Sequence, residues 1–301
     1  MKKVFLLSTI SLFLVCNLCL ARTIIVDKYG SGDCKTIQEA IVNDGDIIKI
    51  LPGIYEENFT INKAISLIGS GPNMTTILGI SLTNPAIKTT GSGTINIQNL
   101  KISGKYGINI TSNNHTIIKN CIITNCSIGI YAYVDGYGGS QTTIINNTLV
   151  YNDTGISLYL PKSTESVLIH GNIVAFNAEK GINLKNINDF TINYNNLYQN
   201  STDYEGCLKG VNDISEDPKF IDTDTGNYTL KFDSPCINTG ILGEYIDPDG
   251  TRNDIGAYAG PNSATFWPYV VGGPIVTEIE INPSSVPKGD PITVKAKGRI
   301  R

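Results

Sequence analysis

The stretch "IINNTLVYNDTGISLY" (144–159) sets short apolar runs between asparagines and ends on a Gly-Ile step, and it has relatives along the chain. Its first half, "IINNTLVYN", matches "IIKNCIITN" ending at Asn125, "LIHGNIVAFN" ending at Asn177 and "INYNNLYQN" ending at Asn200. Each carries a second asparagine five residues earlier, namely Asn120, Asn147, Asn172 and Asn195, and a divergent copy, "INIQNLKISG", places Asn99 before them. Its second half recurs as "GINIT" (107–111), "GIYAY" (129–133) and "GINLK" (181–185). Aligning the inner asparagines gives intervals of 21, 27, 25 and 23 residues. Nothing in the unit has a sustained helical period, and its apolar-polar alternation predicts short strands joined by tight turns. A unit this short cannot bury its own apolar face, so units must stack. Coils of three short parallel strands, with isoleucines inside and asparagines at the turns, satisfy both demands.

Within the Gly-Ile strands, alternation sends Ile108, Ile130, Ile156 and Ile182 inward, followed by Ile110, Ala132, Leu158 and Leu184. Outward go Asn109, Tyr131, Ser157 and Asn183, then Thr111, Tyr133, Tyr159 and Lys185. Stacking therefore builds an exposed row Thr111–Tyr133–Tyr159–Lys185 with Tyr131 beside it. Tyrosines on a flat exposed sheet suit the apolar faces of sugars, with polar neighbours to orient them. Tyrosine's preference for strands and cross-strand packing explains the same row without a ligand. The loop after the tyrosine strand, "VDGYGGSQ" (134–141), offers Asp135 and Tyr137 as a wall.

The repeat resembles the coil of right-handed parallel β-helix proteins of the pectin-lyase-like kind, over roughly residues 23–260. That resemblance implies an all-β fold, a three-sheet solenoid with an asparagine turn between the second and third sheets. It says little of activity, because the fold carries many functions. Residues 23–79, opening "TIIVDKYGSGDCKTIQEAI", resemble the N-terminal part of pectin methylesterases. There Thr36 and Glu39 have capping-box spacing, and Ile37, Ala40 and Ile41 share a helical face, which predicts a short helix capping the open end of the solenoid, with Cys34 in the core of that cap. Residues 217–260, with "DPKFIDTDTGNYTLKFDSPCINTG" and "DPDGTRNDIGAYAG", resemble the closing segment of bacterial surface β-helix proteins.

The domain reading is a signal peptide over 1–21, a parallel β-helix with its caps over 22–261, and a linker with a truncated immunoglobulin-like β tail over 262–301. The leader "MKKVFLLSTISLFLVCNLCLA" has the basic start, apolar stretch and small final residue of an export signal, and predicts a secreted, periplasmic or cell-surface protein without a membrane span after cleavage. The formal charge is −4, and loss of Lys2 and Lys3 with the leader makes it −6. An acidic chain with arginine only at Arg22, Arg252, Arg299 and Arg301 argues against nucleic acid or an anionic membrane as partner.

Catalytic patterns are sparse. The methylesterase-like stretch stops before that family's central aspartate motifs, no Asp-Asp pair of the polygalacturonase kind is present, and "NDTG" (152–155) displaces Asp153 by one position from their "NTDG". Lys185 and Lys162 are the lysines near the tyrosine row. His115 and His170 sit in different registers and form no evident pair. Asp247, Asp249 and Asp254 in "DPDGTRND" offer a calcium candidate, although the spacing is not that of an EF-hand and a structural turn is the competing reading. Of five mature cysteines, Cys207 and Cys236 are the candidate disulfide, against burial of all five as small hydrophobes. The expectation is a monomer that binds a polysaccharide through Tyr131, Tyr133, Tyr159, Asp135 and Lys185, with no cofactor beyond that calcium candidate. A polysaccharide lyase, hydrolase or esterase and a non-catalytic surface spacer are the alternatives.

Overall fold

A computed structural model describes residues 21–111, 115–134, 141–161, 166–243, 245–267, 275–282 and 293–299. The repeat folds as three parallel sheets wound into a solenoid, of seven, eight and seven strands. Each complete coil runs from the eight-stranded second sheet, through a corner, into a three- or four-residue strand of the third sheet. A second corner leads to the first sheet. One coil, for example, uses Gln141–Ile145, Thr148–Val150 and Thr154–Tyr159.

Register stacks like on like. In the second sheet Ile24, Ile48, Leu67, Ile97, Ile118, Ile144, Ile169 and Ile192 form one continuous inward row. Ile108, Ile130, Ile156 and Ile182 do so in the first sheet, and Ile102, Ile123, Leu149, Val174 and Leu197 in the third. These residues are buried, and each aliphatic side chain so removed from water contributes roughly 1.5–3 kcal/mol.

The corners correct the asparagine alignment by one residue. From Asn120 onward the first corner has two residues and the second three or four, and in both the first residue is left-handed and the second faces inward. Asn99, Asn120, Asn146, Gly171 and Tyr194 take positive φ at the first corner, as do Asn125, Tyr151, Phe176 and Gln199 at the second. The inward position after them carries the ladder. Asn147 donates from its backbone N and Nδ2 to Asn172 Oδ1 (2.9 and 3.0 Å), and Asn172 repeats this onto Asn195. At the other corner Asn152, Asn177 and Asn200 are linked in the same way. In the earliest of these coils the ladder seats hold Cys121 and Cys126, whose backbone N–H groups donate to Asn147 and Asn152. Asn120 and Asn125 therefore belong to the left-handed rows. The five-residue asparagine spacing is the three-residue strand plus the first two residues of the second corner.

The N-terminal cap follows expectation. Ile37–Ala40 is a short helix with the Thr36–Glu39 capping box, Ile37 and Ala40 are buried, and Ile41 is in the core. Cys34 packs against that core and bridges to Val26, covering the first strand edge. At the far end Asp213 terminates the ladder, accepting from Asn195 N and Nδ2, Tyr204 Oη and Gly210 N.

Residues 217–267 fold back along the side of the solenoid as a strap over the third sheet. Its outward Ile122, Val150, Ile173 and Ala175 form a second core with Phe220, Tyr228, Leu230, Cys236, Ile255, Ala257, Tyr258 and Phe266. Phe266 carries this body beyond the expected boundary at residue 261. Ile275–Asn282 and Thr293–Arg299 then form an antiparallel hairpin. The leader lies outside the described residues. Among those described, no helix is long and apolar enough to cross a membrane.

The Cys207–Cys236 disulfide is not formed. Both thiols are free, because Cys236 is enclosed in the second core while Cys207 packs against the end of the first. Burial raises the Cys236 thiol to about 12, and Asn196 Nδ2 lies 3.0 Å from its sulfur.

Candidate functional site

The outward face of the first sheet is ordered by the same register. Thr60, Lys88, Asn109, Tyr131, Ser157, Asn183 and Glu205 form one row. Tyr133, Tyr159 and Lys185 are paired in the next, with Thr111 one residue beyond the paired Ile110. The Gly-Ile step that opens these strands has a packing cause. A Cβ on Gly129 would lie 2.7 Å from Gly155 O, and one on Gly155 would lie 2.8 Å from Gly181 O. The coils approach too closely at that seat for any side chain, and the isoleucine that follows turns inward.

The structure thus brings Tyr131, Tyr133, Tyr159 and Lys185 onto one face. Asp135, Tyr137 and Lys162 lie outside the described residues. The Tyr133 and Tyr159 rings stack with centroids 5.1 Å apart and planes 10° from parallel. Each ring shields one face of the other. The remaining faces are that of Tyr133 toward Thr111 and that of Tyr159 toward Lys185. Tyr133 is half exposed. Thr111 Oγ1 donates to Thr89 O at 2.9 Å, which holds the small residue down beside the open tyrosine face. Burial, then Tyr133 and Tyr106, raise the Tyr131 hydroxyl above its ordinary value, so it is a neutral donor at any physiological pH.

Two further groups at this face were missed in the sequence. Lys180 and Glu205 pair at 2.5 Å, and this contact holds the Glu205 carboxylate below its usual range. They come from adjacent strands, where Lys180 lies opposite Thr202 and Glu205 opposite Asn183, and their long side chains meet diagonally. Tyr106 lies in line with Ile128 at the strand entrance, outside the Gly-Ile phrase that carried the search.

The other candidates do not converge on this face. His115 and His170 occupy the second sheet four positions apart in register, and burial lowers both imidazoles. Asp247 accepts from Gly260 N (2.6 Å) and Asp254 N (2.8 Å), while Asp249 Oδ1 accepts from Thr251 N and Oγ1. These bonds tie the strap's loop as a turn. Among the described residues no three His, Cys, Asp or Glu side chains are grouped to hold a metal.

A family described as "right handed beta helix region" matches residues 63–217, just over half of the chain. The chain belongs to this family. The match spans the stacked coils that build the tyrosine face and ends where the strap begins. A solved pectin methylesterase from carrot is similar at 15% identity and a TM-score of 0.31, covering 68% of this chain and 91% of that one. A search of the curated proteins gives no match. The right-handed parallel β-helix expected from the repeat is thus the family's fold and the observed one.

Proposed function

We propose that this is an exported β-helix protein that binds a polysaccharide along its first sheet. The observation that carries the reading is the in-register Tyr133–Tyr159 stack on the outward face of the first sheet, where Tyr133 and Lys185 are exposed. A sugar ring packs its apolar C–H face on the open side of Tyr133 above Thr111, and another on the side of Tyr159 toward Lys185. Asn109, Tyr131 and Ser157 alongside supply hydrogen bonds to hydroxyls, and Lys185 suits an acidic substituent. The leader supports export, and an acidic surface poor in arginine fits a sugar polymer better than a polyphosphate.

The test is retention of the purified protein on a panel of immobilised polysaccharides, beside a Tyr133→Ala/Tyr159→Ala variant. Retention is expected on at least one polymer, and should be lost in the variant while its β-sheet circular dichroism is kept. Retention unchanged in the folded variant, or none on any polymer, would overturn the proposal and leave the tyrosines as strand-packing residues. Release of reducing ends or of unsaturated products from a retained polymer would place the protein with the glycan-cleaving enzymes instead.

A further inference from the structure

A second polar cleft lies around the corner from the tyrosine face, between the third sheet and the strap. It has a volume of about 410 Å³ and is lined by Lys101, Asn125, Tyr151, Tyr228 and the turn 223–226. That volume falls in the range of small-molecule sites. Lys101 projects outward from the short strand Lys101–Ser103, and its Nζ sits 5.7 Å from the Tyr228 ring centroid. Gly226 leaves room for it, since a Cβ there would lie 2.9 Å from Nζ.

Lys101 is a half-buried cation with no ion-pair partner among the described residues. Burial alone lowers its pKa, and no carboxylate contributes to the shift. Burying an ammonium without a counter-charge is unfavourable, and cation–π contact with Tyr228 offsets only part of it. An anion entering the cleft recovers the rest. The surroundings further narrow its chemistry. Tyr151 is exposed and provides ring surface, with the buried Tyr228 6.2 Å behind it and tilted by 37°. Asn125 is exposed at its corner, and Asp224 and Thr225 stand on a turn that Asp222 Oδ1 holds by accepting from both their N–H groups. Cation, aromatic surface, amide and carboxylate together suit a sugar bearing a carboxylate better than a bare anion, because the sugar's hydroxyls give Asp224 a hydrogen-bond donor that a bare anion lacks.

We propose that this cleft binds an acidic monosaccharide unit, with the ligand carboxylate on Lys101 Nζ, its ring against Tyr151, and its hydroxyls toward Asn125 and Asp224. The site is separate from the first sheet, and a ligand here does not require the tyrosine row to bind anything.

The test is calorimetric titration of the full chain with glucuronate, with glucose and acetate as comparators. Glucuronate is expected to bind at millimolar concentration or below, and glucose and acetate each at least about tenfold more weakly, as loss of either the charge contact or the ring contact implies. Lys101→Gln should lose glucuronate binding by about the same factor, Lys101→Arg should keep most of it, and Tyr133→Ala/Tyr159→Ala should leave it unchanged. Equal binding of glucose, or unchanged affinity in Lys101→Gln, would overturn the proposal. So would the absence of any glucuronate heat in the wild type, which needs no variant to fold. Loss in the tyrosine double variant would move the acidic sugar to the first sheet.

Discussion

The solenoid has two cores, and they are built on opposite principles. The inner core repeats. Isoleucines and asparagines stack on their own kind one coil away, at separations such as 23 and 25 residues for the ladder. The outer core under the strap is made once, by contacts such as Asn120 Nδ2 to Ala257 O (3.0 Å) and Ala259 O (2.7 Å), and the Asn146–Asn253 amide pair. The corners serve both. Their inward seats are held almost uniformly by asparagine, whereas their left-handed seats vary and are where the strap grips. Gly171 O accepts from Gly256 N, Tyr151 and Phe176 stack at 5.3 Å, and both rings pack toward the strap's Phe220 and Tyr228. Aromatic residues at positive φ cost about 1 kcal/mol each, and here the second core offsets that strain.

Damaging each core separately tests whether they are independent. Asn172→Leu strips partners from Asn147 N and Nδ2 and from the Ile144 and His170 carbonyls, and leaves Asn195 Oδ1 only the backbone N of residue 172, at about 4 kcal/mol for several buried unsatisfied groups. Thermal melting followed by circular dichroism should show the whole solenoid destabilised. Phe220→Ala costs about 3 kcal/mol, but the loss should be confined to the strap. Limited proteolysis should then cut within 217–260 while the solenoid melt stays near wild type. Simultaneous melting of both would mean that the two cores are one cooperative unit. Gly155→Ala, which drives a Cβ against Gly181 O and Val174, should destabilise the solenoid by about 2 kcal/mol with no effect on strap cleavage.

Acidity separates the cores more gently. Burial, then the neighbouring Asp254, raises the Asp247 carboxyl well above its ordinary 3.8. The folded strap therefore keeps a proton that the unfolded chain releases. Its stability is greatest in acid and falls as pH rises from the ordinary carboxylate range toward the raised value. Amide exchange across 247–260 should quicken over the same interval in the wild type and flatten in Asp247→Asn. Exchange in the inner ladder strands should not respond. The smallest effect belongs to the tyrosine stack, where Tyr133→Ala should cost about 1 kcal/mol of stability.

The inner core was legible because its contacts are near in sequence and its period is fixed by the coil. Alternation placed the tyrosine row correctly for the same reason. The one-residue slip at Asn120 and Asn125 arose because asparagine suits both seats of the corner, and cysteine occupies the ladder seat in that coil. What one ring does to its neighbour was not legible, since stacking shields a face that the row alone suggests is free. The strap was recognised as a closing segment but not as a lateral cover. Its partners lie from about forty to more than a hundred residues away, as in Phe176–Phe220 and Asn120–Ala259, and no local pattern encodes them. The expected Cys207–Cys236 bridge failed on that ground, because a loop-rich segment between two cysteines says nothing of the two cores that separate them.

Binding on the first sheet is best tested by mapping ring-proton and amide shifts in the protein on adding fragments of a polysaccharide that retains it. The largest changes should fall at Tyr133 and Tyr159, with Thr111 and Lys185 at the ends and little change across 217–260. Changes concentrated elsewhere, with the two rings unmoved at saturation, would refute a binding role for the first sheet.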